Sequence, residues 1–144
     1  MYSVCDFVFY MCEMCLSRSY IGLYTIDCVH RYLSISHVCI SDIYLVAGAC
    51  FLSVQKILGS HITPLEILYF CSKKTPEKYT EKQIIDTEFQ ICKSLNFIFQ
   101  SDLLNEHIGS FLHISTKEMR EMYRKLERLN IDVTHCYYEV LKSM

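Results

Sequence analysis

The chain has 144 residues, 51% of them hydrophobic, with four glycines, two prolines and a formal net charge of −2. That length allows one domain, or one domain and part of another. The scarcity of glycine and proline argues for long helices and short connections, and the near-neutral balance gives no electrostatic reason to expect a nucleic-acid partner.

The N-terminal run MYSVCDFVFYMCEMCL is apolar but carries Asp6 and Glu13 and no basic start, so a signal peptide is not expected. Residues 4–16 read as a first helix, with Val4, Phe7, Val8, Met11 and Cys15 on one face. Cys5, Phe9, Cys12 and Leu16 make a second apolar strip beside it, which either meets a partner or is buried within the same domain. The nine cysteines are an odd, scattered count, mostly at apolar-periodic positions where a free thiol packs as a small hydrophobe. An intracellular, reduced chain is the expectation. Cys12 and Cys15 form a lone CxxC with no second pair and no histidine at ligand spacing, so core packing is expected, with no metal and no cofactor.

A second helix runs from Ser19 or Tyr20 to Leu33, with a core stripe of Leu23, Ile26, Val29 and Leu33 and with His30 inside it. Asp27 and Arg31 stand beside the stripe at i,i+4, a pairing worth a few tenths of a kcal/mol. After the connection 34–41 comes DIYLVAGACFLSVQKIL, residues 42–58, with 13 residues free of formal charge between Asp42 and Lys56. Its apolar residues leave no polar face, the mark of a helix buried on every side. It falls short of the roughly 20 apolar residues of a membrane span, so a core helix and no membrane are expected. Ala47, Gly48, Ala49 and Cys50 would let neighbouring backbones come close.

Thr63-Pro64-Leu65-Glu66 announces a short fourth helix ending near Ser72: Thr63 caps, Pro64 suits the first helical position and Glu66 closes a capping box. Lys73–Lys78 reads as a solvated loop, too dilute in lysine to hold phosphate. Thr80 and Gln83 open a fifth helix to Leu95, with a stripe of Ile84, Ile85, Ile91, Cys92 and Leu95. Glu88 falls mid-stripe, where a carboxylate must be paired, reach solvent at an edge, or meet another molecule. Such a break in local consistency tends to mark function. Beyond Gln100 the pattern restarts with Leu103, Leu104, Ile108, Phe111 and Leu112. Ser115 and Glu118 then cap a helix carrying Met119, Met122, Tyr123, Leu126 and Leu129, with Arg120, Arg124, Lys125 and Arg128 as a solvated face, and a short segment, Val133 to Lys142, ends the chain. No Gly-rich loop, metal cluster or nucleophile–base set supports an enzyme or a small-molecule substrate.

Several of these stretches, in order and at matching spacing, resemble the cyclin family. HRYLS at 30–34 is similar to the family's DRFLS, LVAGACFLSVQK at 45–56 to its third-helix pattern, and YTEKQIIDTEFQICKSLNF at 79–97 to its fifth-helix run. Asp6-Phe7 stands where mitotic cyclins have Asp-Trp. The resemblance runs from about Val4 to Phe99. It implies an all-α fold: a five-helix cyclin box over residues 1–100 around a buried central helix, with 101–144 as the start of a second, incomplete cyclin-like repeat. The chain would be compact or truncated.

The resemblance further implies a non-enzymatic regulatory subunit that binds and activates a cyclin-dependent Ser/Thr protein kinase as a heterodimer in cell-cycle control, in the nucleus and cytoplasm. The alternative is a transcription-type cyclin, or a cyclin-fold scaffold similar to the B-type general transcription factor. Lys56 and Glu88 match a neighbouring pair that anchors the kinase's N-terminal lobe in cyclins, and Ile57, Phe97 and Phe99 match apolar positions packed on its regulatory helix. Val4 and Phe7 are what remains of the apolar patch that docks substrates in mitotic cyclins. Departures are Leu58-Gly59 where the family often has Glu-Glu, and Met1 and His30 where it joins an Arg to an Asp.

Overall fold

A computed structural model describes residues 2–100, 105 and 114–128, with side chains at 4–100, 105 and 114–125. Helices α1 (Tyr2–Met14) and α2 (Ser19–Ile35) precede a 3₁₀ turn, Ile40–Asp42, that leads into α3 (Ile43–Leu58). Then come α4 (Pro64–Ser72), α5 (Glu81–Ser94) and α6 (Thr116–Arg128). The fold is all-α, with no strand among the described residues. The second apolar stretch (Leu103, Leu104, Ile108, Phe111 and Leu112), residues 129 onward with Val133–Lys142, and the side chain of Leu126 lie outside the described residues.

Helix ends follow local chemistry. Thr63 Oγ1 accepts from the Glu66 N–H (3.4 Å) with Pro64 in the first turn. Thr80 and Gln83 complete a reciprocal box at 3.2 and 2.8 Å. Ser115 Oγ accepts from the Glu118 N–H at 3.1 Å. Each supplies an acceptor to an otherwise orphaned backbone donor. α1 closes with Ser17 N–H on the Cys12 carbonyl (2.8 Å) and Leu16 N–H on that of Glu13 (3.2 Å), a Schellman pattern.

α3 is the hub, packing against α1, α2, α4 and α5. It is buried without interruption from Leu45 to Gln55. Gly48 is required by close approach: a β-carbon there would stand 2.6 Å from Ile67 Cγ2 of α4. By length and composition alone the helical run Ile40–Leu58, 19 residues, suffices to cross a membrane. Its length therefore does not separate the two readings; its enclosure by four helices is that of a core element.

Both apolar strips of α1 are used within the chain, except for Leu16, which lies past the helix end and is exposed. Val4, Phe7, Val8 and Met11 are buried, with Phe7 edge-on to Tyr44 at the start of α3 (ring centroids 5.1 Å). On the other side Phe9 lies against Gly22 of α2 and 5.2 Å from the Tyr123 ring of α6. Met119 and Tyr123 are fully buried there. Thr116 Oγ1 donates to the Ser17 carbonyl (2.9 Å) and Ser19 Oγ to that of Ile114 (2.8 Å), tying the start of α6 to the α1–α2 junction.

The basic face expected on α6 is only partly solvated, and the side chain of Arg128 lies outside the described residues. Arg120 and Arg124 are not a solvated face: Arg120 forks onto Asp6 (2.8 and 3.1 Å) and reaches Glu13 (2.9 Å), and Arg124 reaches Asp6 at 2.8 Å. Burial raises the Asp6 pKa, but hydrogen bonds and charge from Arg120 and Arg124 outweigh it and hold the carboxyl below its ordinary range. Lys125 is exposed, as expected.

The eight described cysteines are free thiols. Burial pushes Cys28 and Cys71 up to about 12 and Cys15 to about 11, and it raises Cys12 and Cys50 well above the ordinary thiol range too. Such thiols are poor nucleophiles and poor ligands, as expected of core packing rather than of a reactive CxxC.

Candidate functional site

The fifth helix turns inward on Ile84, Glu88, Ile91 and Leu95, spaced 4, 3 and 4 apart along one face. Ile84 and Ile91 are fully buried and Leu95 nearly so. Glu88 therefore meets α3, and its carboxylate is satisfied there. Lys56 Nζ donates to Oε1 at 2.9 Å and Oε2 at 3.0 Å, and Ser53 Oγ donates to Oε2 at 2.9 Å. Ser53 and Lys56 lie one turn apart on α3, so a single helix face supplies both partners. The Glu88 side chain is only 13% exposed while that of Lys56 is 41% exposed. The pair sits at a rim, carboxylate inside and ammonium out, and both groups keep hydrogen-bonding capacity for a further partner.

Exposed apolar side chains flank this pair on both elements. Ile57 follows Lys56 and is 53% exposed; Ile85 and Phe89, one turn apart on α5 beside Glu88, are 47% and 59% exposed. Phe97 and Ile98, just beyond the helix, are 66% and 56% exposed. A group of exposed large apolar side chains beside a charged rim is the composition of an interaction surface.

The turn carrying Phe97 is held in an uncommon shape. Phe97 N–H bonds the Cys92 carbonyl (2.8 Å) and Asn96 N–H that of Lys93 (3.2 Å). Asn96 and Phe97 both have positive φ, 52° and 60°. Asparagine tolerates that region; phenylalanine does not, at a cost of roughly 1–2 kcal/mol. Beyond it the chain is fastened to α2: Arg31 Nη1 donates to the Ile98 carbonyl at 2.7 Å, and Cys28 Sγ contacts the Phe99 carbonyl at 3.7 Å.

The sequence model of the cyclin N-terminal domain matches residues 2–100. The chain belongs to the cyclin family. No curated protein matches it. Residues 2–100 are thus a cyclin box, the first five helices around α3, and cyclin boxes are regulatory rather than catalytic.

Of the residues singled out from the sequence, Lys56 and Glu88 are joined directly, Ile57 is exposed on α3 beside Lys56, and Phe97 is exposed in the turn just beyond α5. Phe99 is not on that surface: it is 4% exposed and anchors the turn from beneath. Val4 and Phe7 are buried as well, enclosed by packing such as that of Phe7 on Tyr44 and Tyr10, so neither can offer an apolar docking patch. Ile85, expected in the core stripe, is displaced outward because the inward arc is filled by Ile84, Glu88 and Ile91. Ser53, Phe89 and Ile98 were missed. Ser53 had a signal, its one-turn spacing from Lys56; Phe89 and Ile98 had none beyond being apolar.

Proposed function

We propose that this cyclin-family protein binds a cyclin-dependent Ser/Thr protein kinase through the Lys56–Glu88 rim and the apolar surface beside it, and activates that kinase in cell-cycle control. One observation carries the reading: a solvent-edge ion pair, still able to donate and accept, flanked by exposed Ile57, Phe89 and Phe97 on a cyclin box. Activation is positional. Phosphoryl transfer needs the kinase's β3 lysine paired with the glutamate of its regulatory helix, and a rigid surface packed on that helix holds it inward. The kinase acts in nucleus and cytoplasm, and this protein works where it does.

The test is capture and activation of purified cyclin-dependent kinases by the parent, Lys56→Glu and Phe97→Ala proteins, with circular dichroism to confirm folding. Lys56 is 41% exposed at a helix end, but its reversal also sets a like charge against Glu88 in the free protein, so it should cost the fold about 1–3 kcal/mol, which circular dichroism and a melt will register. In the complex the two facing carboxylates would in addition lose their solvent, and breaking a pair at a desolvated contact costs roughly 3–5 kcal/mol. Phe97→Ala removes an aromatic anchor without touching charge and should cost about 2 kcal/mol or more of binding. Folded variants that capture and activate at parental strength would refute the assignment.

A further inference from the structure

Arg31 of α2 lies on the helix next to the candidate surface and is tied to it by one long-range bond. Its guanidinium is used on three sides: Nε on Asp27 Oδ2 (3.0 Å), Nη2 on Cys28 Sγ (3.5 Å) and Nη1 on the Ile98 carbonyl (2.7 Å). Asp27 is itself buried, so the head of Arg31 is fixed from its own helix and its remaining fork reaches out to the chain just after Phe97. A planar guanidinium suits this task, because its donors are locked in one plane and the direction set by Asp27 is transmitted to the far bond.

The receiving end is a single carbonyl between two opposite environments. Phe97, before it, is 66% exposed in a left-handed backbone conformation; Phe99, after it, is 4% exposed. Phe99 fixes where the chain goes, and the turn's own amides are already bonded, Phe97 N–H to the Cys92 carbonyl (2.8 Å) and Ile98 N–H to the Leu95 carbonyl (3.0 Å); what these leave free is the peptide plane between Ile98 and Phe99. The bond from Arg31 to the Ile98 oxygen fixes that plane. The Cys28 contact on the Phe99 carbonyl is longer and weaker.

We infer that Arg31 is a positioning residue for kinase binding: it holds the 96–98 turn so that Phe97 projects as a preformed anchor rather than a mobile side chain. This rests on the kinase-binding reading and adds to it a residue that need not touch the kinase. Preorganising an exposed aromatic raises affinity by removing the ordering cost from the binding step.

The experiment measures the affinity of a purified cyclin-dependent kinase for six proteins: parent, Arg31→Ala, Arg31→Lys, Phe97→Ala, Arg31→Ala/Phe97→Ala and Lys56→Glu. Hydrogen exchange of amides 96–98 is followed in the free proteins. Arg31→Ala should lose about tenfold in affinity, the scale of a hydrogen bond to a charged group, and its 96–98 amides should exchange faster. Phe97→Ala should remove that dependence, so the double variant binds like Phe97→Ala alone. Arg31→Lys can keep Asp27 but cannot hold both partners in one plane, so it should show the same loss and carries the test if Arg31→Ala does not fold. An equal further loss in the Phe97→Ala background would overturn the inference, since Arg31 would then act through the kinase or through general stability. Parental affinity in both Arg31 variants, with Lys56→Glu and Phe97→Ala impaired, would overturn it and leave the kinase reading standing. Parental affinity in Lys56→Glu and Phe97→Ala would refute both.

Discussion

Leu16 and Phe97 both hold positive φ, 54° and 60°, at the ends of α1 and α5. Each forgoes the glycine that usually closes such a turn, yet the two sites differ. Leu16 is 92% exposed beside a cavity it lines with Cys15, Tyr20, Ile21 and Leu58, whereas Phe97 stands on the candidate surface. A β-carbon in that region costs roughly 1–2 kcal/mol, and the greater freedom of unfolded glycine takes back about 0.5–1. Leu16→Gly should therefore stabilise the protein by about 0.5–1 kcal/mol, raising Tm by roughly 2–4 °C. Phe97→Gly should raise it similarly while weakening kinase capture, the trade of stability against function expected where strain is stored at a site. Thermal melts beside the capture assay check both. A Phe97→Gly protein that melts lower than parent would show that the turn is not strained, whatever its effect on binding.

At the scale of the helix, burial on α3 decides most. Gly48 faces Ile67 with no room for a β-carbon, and the methyl it would meet is a β-branched one that cannot swing away. Gly48→Leu should cost roughly 1–3 kcal/mol or more through overpacking, and Gly48→Ala should already lower Tm measurably. A Leu variant that melts within a degree or two of the parent would mean α4 can recede from α3. The central helix was legible in the sequence because a long uncharged run with small residues at its middle has few other uses. Glu88 was legible as an anomaly for the same reason, being the one charge on a face otherwise apolar. Less legible was which of two adjacent apolar strips finds a partner inside the chain. On α5 the strip of Ile85 and Phe89 does not, while on α1 the strip of Phe9 does. The pattern of apolar residues fixes a helix's phase; it does not reveal what lies opposite. Nor could it show that Arg31 reaches the Ile98 carbonyl, since a backbone acceptor has no side-chain signature.

Across the molecule, α6 is held to the cyclin box by an apolar contact and by charge, and the charge makes its docking dependent on acidity. Met119 and Tyr123 bury themselves on α1 and α2, while Asp6 receives Arg120 and Arg124 with Lys74 3.8 Å away. Asp6 has a depressed pKa in the folded chain, so its contribution to stability is complete above the ordinary aspartate value of 3.8 and is lost as pH falls below that value through the depressed one. Protonation leaves two half-buried guanidinium groups facing a neutral acid, with Glu13 as the second acceptor for Arg120 and Glu121, at 3.6 Å, for Arg124. The loss lies between that of an exposed pair and a buried one, about 1–3 kcal/mol. Asp6→Asn imposes it at neutral pH. Hydrogen exchange at pH 7 should therefore show amides 116–128 opening faster in Asp6→Asn than in the parent, with those of 45–55 unchanged. Release of α6 would bare Phe9, so the variant should also bind a hydrophobic dye such as ANS more strongly. Because the variant lacks the titrating carboxyl, its dye binding should change less between pH 5 and pH 3 than that of the parent, which gains exposure there. Equal exchange over 116–128 in the two proteins at pH 7 would show that Met119 and Tyr123 hold the helix unaided and that the arginines add nothing.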